Sequence, residues 1–339
     1  MKIVTFGEIM LRLSPPGFER LLQSPALLAT FGGAEANVAV SLAQWGCDSV
    51  YVTRVPAHAI GDAAVRVLRA EGVRTDFVLR GGERLGVYFA ESGAGQRPST
   101  VVYDRAHSSI SDIDPTAVDW PGIMRGADWF HVSGITPALG PKPARCVADA
   151  LAAARAANVR TSLDLNYRRK LWSEKEAQTT LRPLMKDVDL VIANEEDIQS
   201  TLGLDVPGVD VNTGRVNPAA YVDVVQRVCA LGPARVAITL RESLSASDNG
   251  WSAVLGEEGQ PLVESQRYDV RIVDRVGAGD AFAAGLVYGL ATGLGSVESL
   301  RFAVAAGALK HSIPGDFNRV SVDEVRRLAA GDASGRVQR

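Results

Sequence analysis

The stretch IVDRVGAGDAF (272–282) decides how the chain is read, because an extended apolar segment passes through two glycines into an apolar helix and an aspartate sits just past the turn. A glycine-rich turn ahead of a helix lets backbone N–H groups approach an anion, and the helix N-terminus adds partial positive charge. The N–H groups from Ala278 to Asp280 are therefore placed to stabilise charge on a transferred phosphoryl group. Asp280 then has two readings: a base that takes the proton of an attacking hydroxyl, or a cap on the helix it enters. Competing glycine motifs fit less well. A dinucleotide fingerprint needs a third glycine where Phe282 stands and an early position in the chain. A Walker A loop needs a Gly-Lys pair, which is absent. The protein-kinase set fails because there is no HRD triplet and GDF (315–317) is not DFG.

Outward from this stretch, the chain has the composition of a globular protein: 339 residues, 46% apolar and 22% charged. A net charge of −3 disfavours nucleic acid and anionic membranes as partners and makes a small molecule the better expectation. Cys47, Cys146 and Cys229 lie far apart without metal-ligand spacing, as in a reducing compartment. The N-terminus passes directly into a strand-like run, and the apolar stretch 281–297 is interrupted by glycines, which predicts a buried helix and turn rather than a membrane span. A cytoplasmic location is expected.

Strand-like runs at 2–7, 49–55, 128–134, 160–166, 190–194 and 235–240 alternate with helical patterns such as NVAVSLAQWG (37–46), DAAVRVLRAEG (62–72) and ARCVADALAAARAAN (144–158). The alternation predicts an α/β fold with a mostly parallel sheet covered on both faces. Residues 85–91 and 99–105, joined by SGAGQRP, read as a hairpin, and residues 10–15 are placed to pair with it. One domain over 1–330 is expected, with these lid strands inserted and a polar tail over 331–339.

A second glycine pair opens FGGAEANVAVSLAQWG (31–46), with Glu35 and Asn37 in the first turns of a helix; alone it is equally a tight-packing turn. Taken in order, GE (7–8), GGAEANVA (32–39), the hairpin 85–105, DLNYR (164–168), ANEED (193–197) and DRVGAGD (274–280) resemble the signatures of the ribokinase/PfkB carbohydrate kinase family across nearly the whole chain. The resemblance implies phosphoryl transfer from ATP to a sugar hydroxyl on a three-layer α/β/α domain with a small β lid. It implies Asp280 as the base, Gly277, Ala278 and Gly279 as the anion hole, and Gly33 and Asn37 against the sugar. Asn194 matches the start of the family's Asn-x-x-Glu motif near Mg²⁺ and the phosphates. The fourth position here is Asp197, a shorter carboxylate that can hold a water on the metal. Arg275 stands where Thr or Ser is common in the family. A monovalent cation is a further candidate cofactor.

The nucleotide side departs from the family's usual Thr-x-Gly pattern: in ITLRESLSASDNGWSAVL (238–255), Thr239 is placed to line the ATP site and Arg241 to reach phosphate. Each is equally a strand end or a surface charge. This form resembles the subgroup described as 2-keto-3-deoxygluconate kinases. A sugar acid calls for a guanidinium that can grip both carboxylate oxygens. Arg105, two residues after Tyr103 on the lid, and Arg168, just beyond a central strand, are the candidates; as single residues they read equally as salt-bridge partners of Asp104 and Asp164. Tyr88 belongs to the same resemblance, and Asp316 is a further candidate for a substrate hydroxyl. The implied activity is phosphorylation of the terminal hydroxyl of the keto-deoxy acid, gluconate or galactonate epimer. A neutral ketohexose kinase and a non-catalytic sugar- or nucleotide-binding regulator remain open alternatives. The lid edge at 85–105 suggests a homodimer or higher oligomer.

Overall fold

The computed structural model describes residues 1–206 and 218–332, so most of the expected tail lies outside it. Among these residues the strands are β1 (Lys2–Phe6), β2 (Met10–Ser14), β3 (Leu28–Gly32), β4 (Asp48–Val55), β5 (Val78–Arg80), β6 (Gly86–Glu91), β7 (Thr100–Asp104), β8 (Trp129–Ser133), β9 (Arg160–Asp164), β10 (Leu190–Ala193), β11 (Arg235–Ser243), β12 (Asp248–Glu257), β13 (Val263–Glu264) and β14 (Tyr268–Arg271). The large sheet is ordered β13-β12-β11-β10-β9-β8-β1-β4-β5, with β14 also on β12. From β11 to β5 every pairing is parallel, and only β12, β13 and β14 run antiparallel.

Side-chain alternation explains why helices must cover both faces. On β1, Val4 and Phe6 join one apolar cluster and Ile3 the other; on β10, Val191 and Ala193 part from Leu190 and Ile192 in the same way. Cys146, Val147, Ala150 and Leu151 of the helix Pro141–Ala156 close the first cluster, and Phe282 and Leu286 of the helix Ala278–Ala291 close the second. Burying each large side chain contributes about 1.5–3 kcal/mol. The helix Ala278–Ala291 is apolar all round because it is enclosed between the sheet and the helix Gly295–Lys310, where Gly285 meets the backbone of Ala303. No helix among the described residues is long and apolar enough to cross a membrane.

A second sheet, ordered β3-β2-β6-β7, stands over one end of the first. The pairing expected between residues near 11 and the hairpin is parallel, Met10–Leu13 beside Gly86–Phe89. Two features go beyond the expected strands. β3 joins the lid although Leu28, Ala29 and Thr30 are exposed, so no apolar alternation marks it. The strand expected at 235–240 continues to Ser243 and turns back as β12, whose Trp251 to Leu255 are mostly buried. Chain order reverses beside β1, between β4 on one side and β8 on the other. The crevice beyond the carboxyl ends of such strands is where open α/β sheets bind ligands.

Candidate active site

A cavity of about 450 Å³ opens at that crevice, between the sheet and the lid. Gly33, Asn37, Tyr88, Tyr103, Arg105, Arg168, Asn194, Asp197, Thr239, Arg241, Gly277, Gly279, Asp280 and Asp316 all line it. Ala278 stands behind it with its side chain buried.

Gly277 starts the glycine turn in the left-handed conformation, φ 85°, and a Cβ there would lie 2.1 Å from the Asp316 carbonyl oxygen. Only glycine fits. The first-turn N–H groups of the following helix have no carbonyl one turn back, which makes this end an anion cradle. Among the described residues, Ala278 N–H is engaged only by a long 3.4 Å bond to the Arg275 carbonyl. Gly279 has no protein atom within 4 Å of where a Cβ would project.

The capping reading of Asp280 does not hold: Gly277 is the N-cap, with no side-chain cap bond. Instead the Asp280 carboxylate accepts from Asn37 Nδ2 at 2.7 Å. Asn37 Oδ1 in turn accepts from Gly33 N–H at 3.3 Å, and Gly33 lies so close to the Glu8 carbonyl that a Cβ would come within 1.9 Å. The two glycine stretches, some 240 residues apart, therefore meet through one hydrogen bond. Burial drives the Asp280 pKa up to about 7, with Asp316 and Glu35 adding to the rise and the Asn37 bond and Arg168 opposing it. A carboxyl poised near neutrality suits general-base work. Glu35 has a structural place: buried, it accepts from Ser133 N–H, Ser133 Oγ and Thr136 Oγ1, tying the helix Ala34–Gln44 to the end of β8.

On the lid side, Arg12 of β2 reaches across to Asp274 at 2.7 Å and Asp316 at 2.8 Å, and Tyr88 donates to the other Asp316 oxygen. Both oxygens of Asp316 are thus engaged within the protein, which leaves a substrate hydroxyl to compete for them. Arg105 is buried and paired with Glu8 through Nε and Nη2, not with Asp104, which is held by Arg84. One edge of its guanidinium is spent on Glu8, so the two-oxygen grip expected of Arg105 narrows to its Nη1 side. Its guanidinium also lies 5.5 Å from the Tyr103 ring centre. Arg168 makes no ion pair with Asp164; among the described residues it donates only to the Tyr167 carbonyl at 3.1 Å, and it remains exposed at the cavity.

On the opposite side, Asn194 and Asp197 form a reciprocal capping box at the start of the helix Glu195–Leu202. Asp197 also accepts from Tyr167 N–H at 3.0 Å, and burial pushes its pKa to about 6. Thr239 Oγ1 donates to the Ala193 carbonyl at 3.3 Å. Among the described residues no group of three or more His, Cys, Asp or Glu side chains could hold a metal. A cation carried in on phosphate oxygens needs few protein ligands, and the site suits one: Asp164 is pushed well up by burial and then by the charges of Asp197 and Asp280. Asp164, Asn166, Glu196 and Arg275 also line the cavity but were not expected there. Asp164 and Asn166 ended a strand in the quoted DLNYR, a position that could have marked them.

An anion cradle, a carboxyl tuned to neutrality and a lid over the crevice of a three-layer α/β/α fold define the ribokinase-like phosphotransferase class. The chain matches the pfkB family carbohydrate kinases over residues 1–318 and belongs to that family; it is a phosphotransferase acting on a sugar. It is similar to 2-dehydro-3-deoxygalactonokinase of Haloferax volcanii, 32% identical with 98% of each chain covered. It is 28% identical to 2-dehydro-3-deoxygluconokinase of Bacillus subtilis, over 95% of this chain and 93% of that one. The solved structure of 2-dehydro-3-deoxygluconokinase from Thermotoga maritima superposes with a TM-score of 0.94 at 51% identity, covering 98% of this chain and 100% of that one.

Proposed function

We propose that the protein transfers the γ-phosphoryl group of ATP to the terminal hydroxyl of 2-keto-3-deoxygluconate. The observation that carries this reading is the placing of Asp280 and of Arg168, a guanidinium in no ion pair among the described residues, in one cavity. A sugar carboxylate gives that guanidinium a forked acceptor at bonding distance, which a neutral ketose lacks. The identity to the Thermotoga enzyme supports the same substrate. The galactonate epimer is a second reading, favoured by the Haloferax relative.

In this mechanism Asn37 and Gly33 hold the sugar, Tyr88 and Tyr103 wall it, and Arg168 with the free edge of Arg105 takes the carboxylate. Asp280 accepts the hydroxyl proton as the oxygen attacks the γ-phosphorus, and the bond from that phosphorus to the oxygen bridging to the β-phosphate breaks to release ADP. The cradle N–H groups of 277–279 receive the charge spreading over the phosphoryl oxygens. Asn194, Thr239 and Arg241 would hold the nucleotide, and Asp197 would hold the metal through a water. Mg²⁺, brought with ATP, supplies neutralisation of phosphate charge. Incubation with Mg-ATP and the keto-deoxy acid should give a phosphomonoester on the terminal carbon by ³¹P NMR; an unchanged acid would refute the proposal. A monovalent cation is tested by comparing turnover in potassium and in tetramethylammonium buffers. A cytoplasmic homodimer or higher oligomer paired through the lid, whose outer strands expose Leu28 and Val102, completes the proposal; a concentration-independent monomer in sedimentation would remove the oligomer.

A further inference from the structure

We infer that Arg275 is a ligand of the nucleotide's terminal phosphates and forms, with Arg241, a two-arginine clamp beside the anion cradle; the inference rests on the kinase reading above. Arg275 lies two residues before Gly277 and lines the same cavity. Its Nη2 donates to the Ala246 carbonyl at 3.1 Å, fixing it against the connection between β11 and β12, while its Nε is buried without a partner among the described residues. The adjacent carboxylate, Asp274, is engaged elsewhere, by Arg12, by Val276 N–H at 3.1 Å and by Gly315 N–H at 3.0 Å.

Arg241, at the far end of β11, likewise lines the cavity with no ion pair among the described residues. It is accessible from the cavity yet ringed by protein, and burial followed by the charges of Arg275 and Arg168 lowers its pKa. The two guanidiniums repel one another; Asp197 and Glu195 near Arg241 and Asp274 near Arg275 offset this in part without an ion pair among the described residues, and an arriving anion relieves the rest. Their position decides which anion. They flank Thr239 and the glycine turn, whereas Tyr88 and Arg105 lie under the lid. Phosphate oxygens can serve two forked donors at once, as a single carboxylate held elsewhere cannot.

The test is calorimetric titration of the whole protein with Mg-ADP and with AMP, in wild type, Arg275→Gln and Arg275→Lys. Loss of a charge-assisted bond predicts that Arg275→Gln weakens ADP at least about tenfold, leaves AMP within about twofold, and keeps the thermal midpoint. Arg275→Lys should recover part of the ADP affinity. Equal weakening of both nucleotides, or no weakening, would overturn the clamp while leaving the kinase reading intact. No nucleotide binding by the wild type would overturn both.

Discussion

Replacing Asp280 by Asn leaves the side-chain volume nearly unchanged and removes the group able to take a proton. Two magnitudes follow from the structure. The first is kinetic: with a pKa of about 7, half of the free enzyme carries the ionised base at neutral pH, and each unit below removes roughly another tenfold. The wild-type kcat/KM should therefore rise with unit slope up to pH of about 7 and level off above it. Asp280→Asn should lose about a hundredfold to ten-thousandfold in turnover together with that limb. The second is thermodynamic. Because burial raises the folded pKa above the unfolded value of 3.8, folding opposes the charge and not the neutral acid. That penalty is absent below the unfolded value, grows as pH rises between 3.8 and about 7, and is complete above it. It amounts to at most about 4 kcal/mol, reduced by the opening of the carboxyl onto the cavity. Asp280→Asn should thus be more stable than wild type at pH 8, with the gain shrinking toward pH 4. Coupled ADP release across pH 5.5–8.5 and urea unfolding at pH 8 and 5 read both effects. Near-normal turnover in a folded variant, or a flat wild-type profile, would refute the base assignment.

The two glycines of the turn should separate fold from chemistry. Gly277→Ala meets a left-handed φ and the Asp316 carbonyl, so thermal unfolding should show a loss of about 1–2 kcal/mol or more. Gly279→Ala meets no protein atom and gains helix propensity; it should keep or raise the melting point while its methyl displaces the phosphoryl group and lowers kcat by about a hundredfold. Comparable melting losses in both would contradict the reading of the cradle. Arg168→Ala should raise the KM for the keto-deoxy acid about tenfold or more while leaving a neutral ketose nearly unaffected; equal effects on both in steady-state kinetics would sink the carboxylate contact.

The alternation of strand and helix signals made the parallel sheet legible, because strands such as β10 read as short continuous apolar runs flanked by helical periods. The glycine stretches announced their turns since no other residue can stand at Gly277 or Gly33. What spacing could not express was pairing. Nothing local says that Asn37 would bond Asp280 rather than leave it to cap its helix, or that Glu8 would claim one edge of Arg105 from 97 residues away. β3 escaped notice because it is held by its backbone ladder to β2, with its first three side chains in solvent. Arg275 read as a departure from a pattern; only the fold shows that Asp274 is taken by Arg12, so that Arg275 bonds the Ala246 carbonyl and faces the cavity instead.

The sugar that the cavity selects can be read from one coupled ADP-release series with Mg-ATP across 2-keto-3-deoxygluconate, its galactonate epimer, gluconate, fructose and ribose. Turnover should be concentrated on the keto-deoxy acids, with kcat/KM for the neutral sugars lower by about tenfold or more, the contribution expected of one charge-assisted contact. Preference for fructose or ribose would contradict it, keeping a carbohydrate kinase but removing the carboxylate from the cavity.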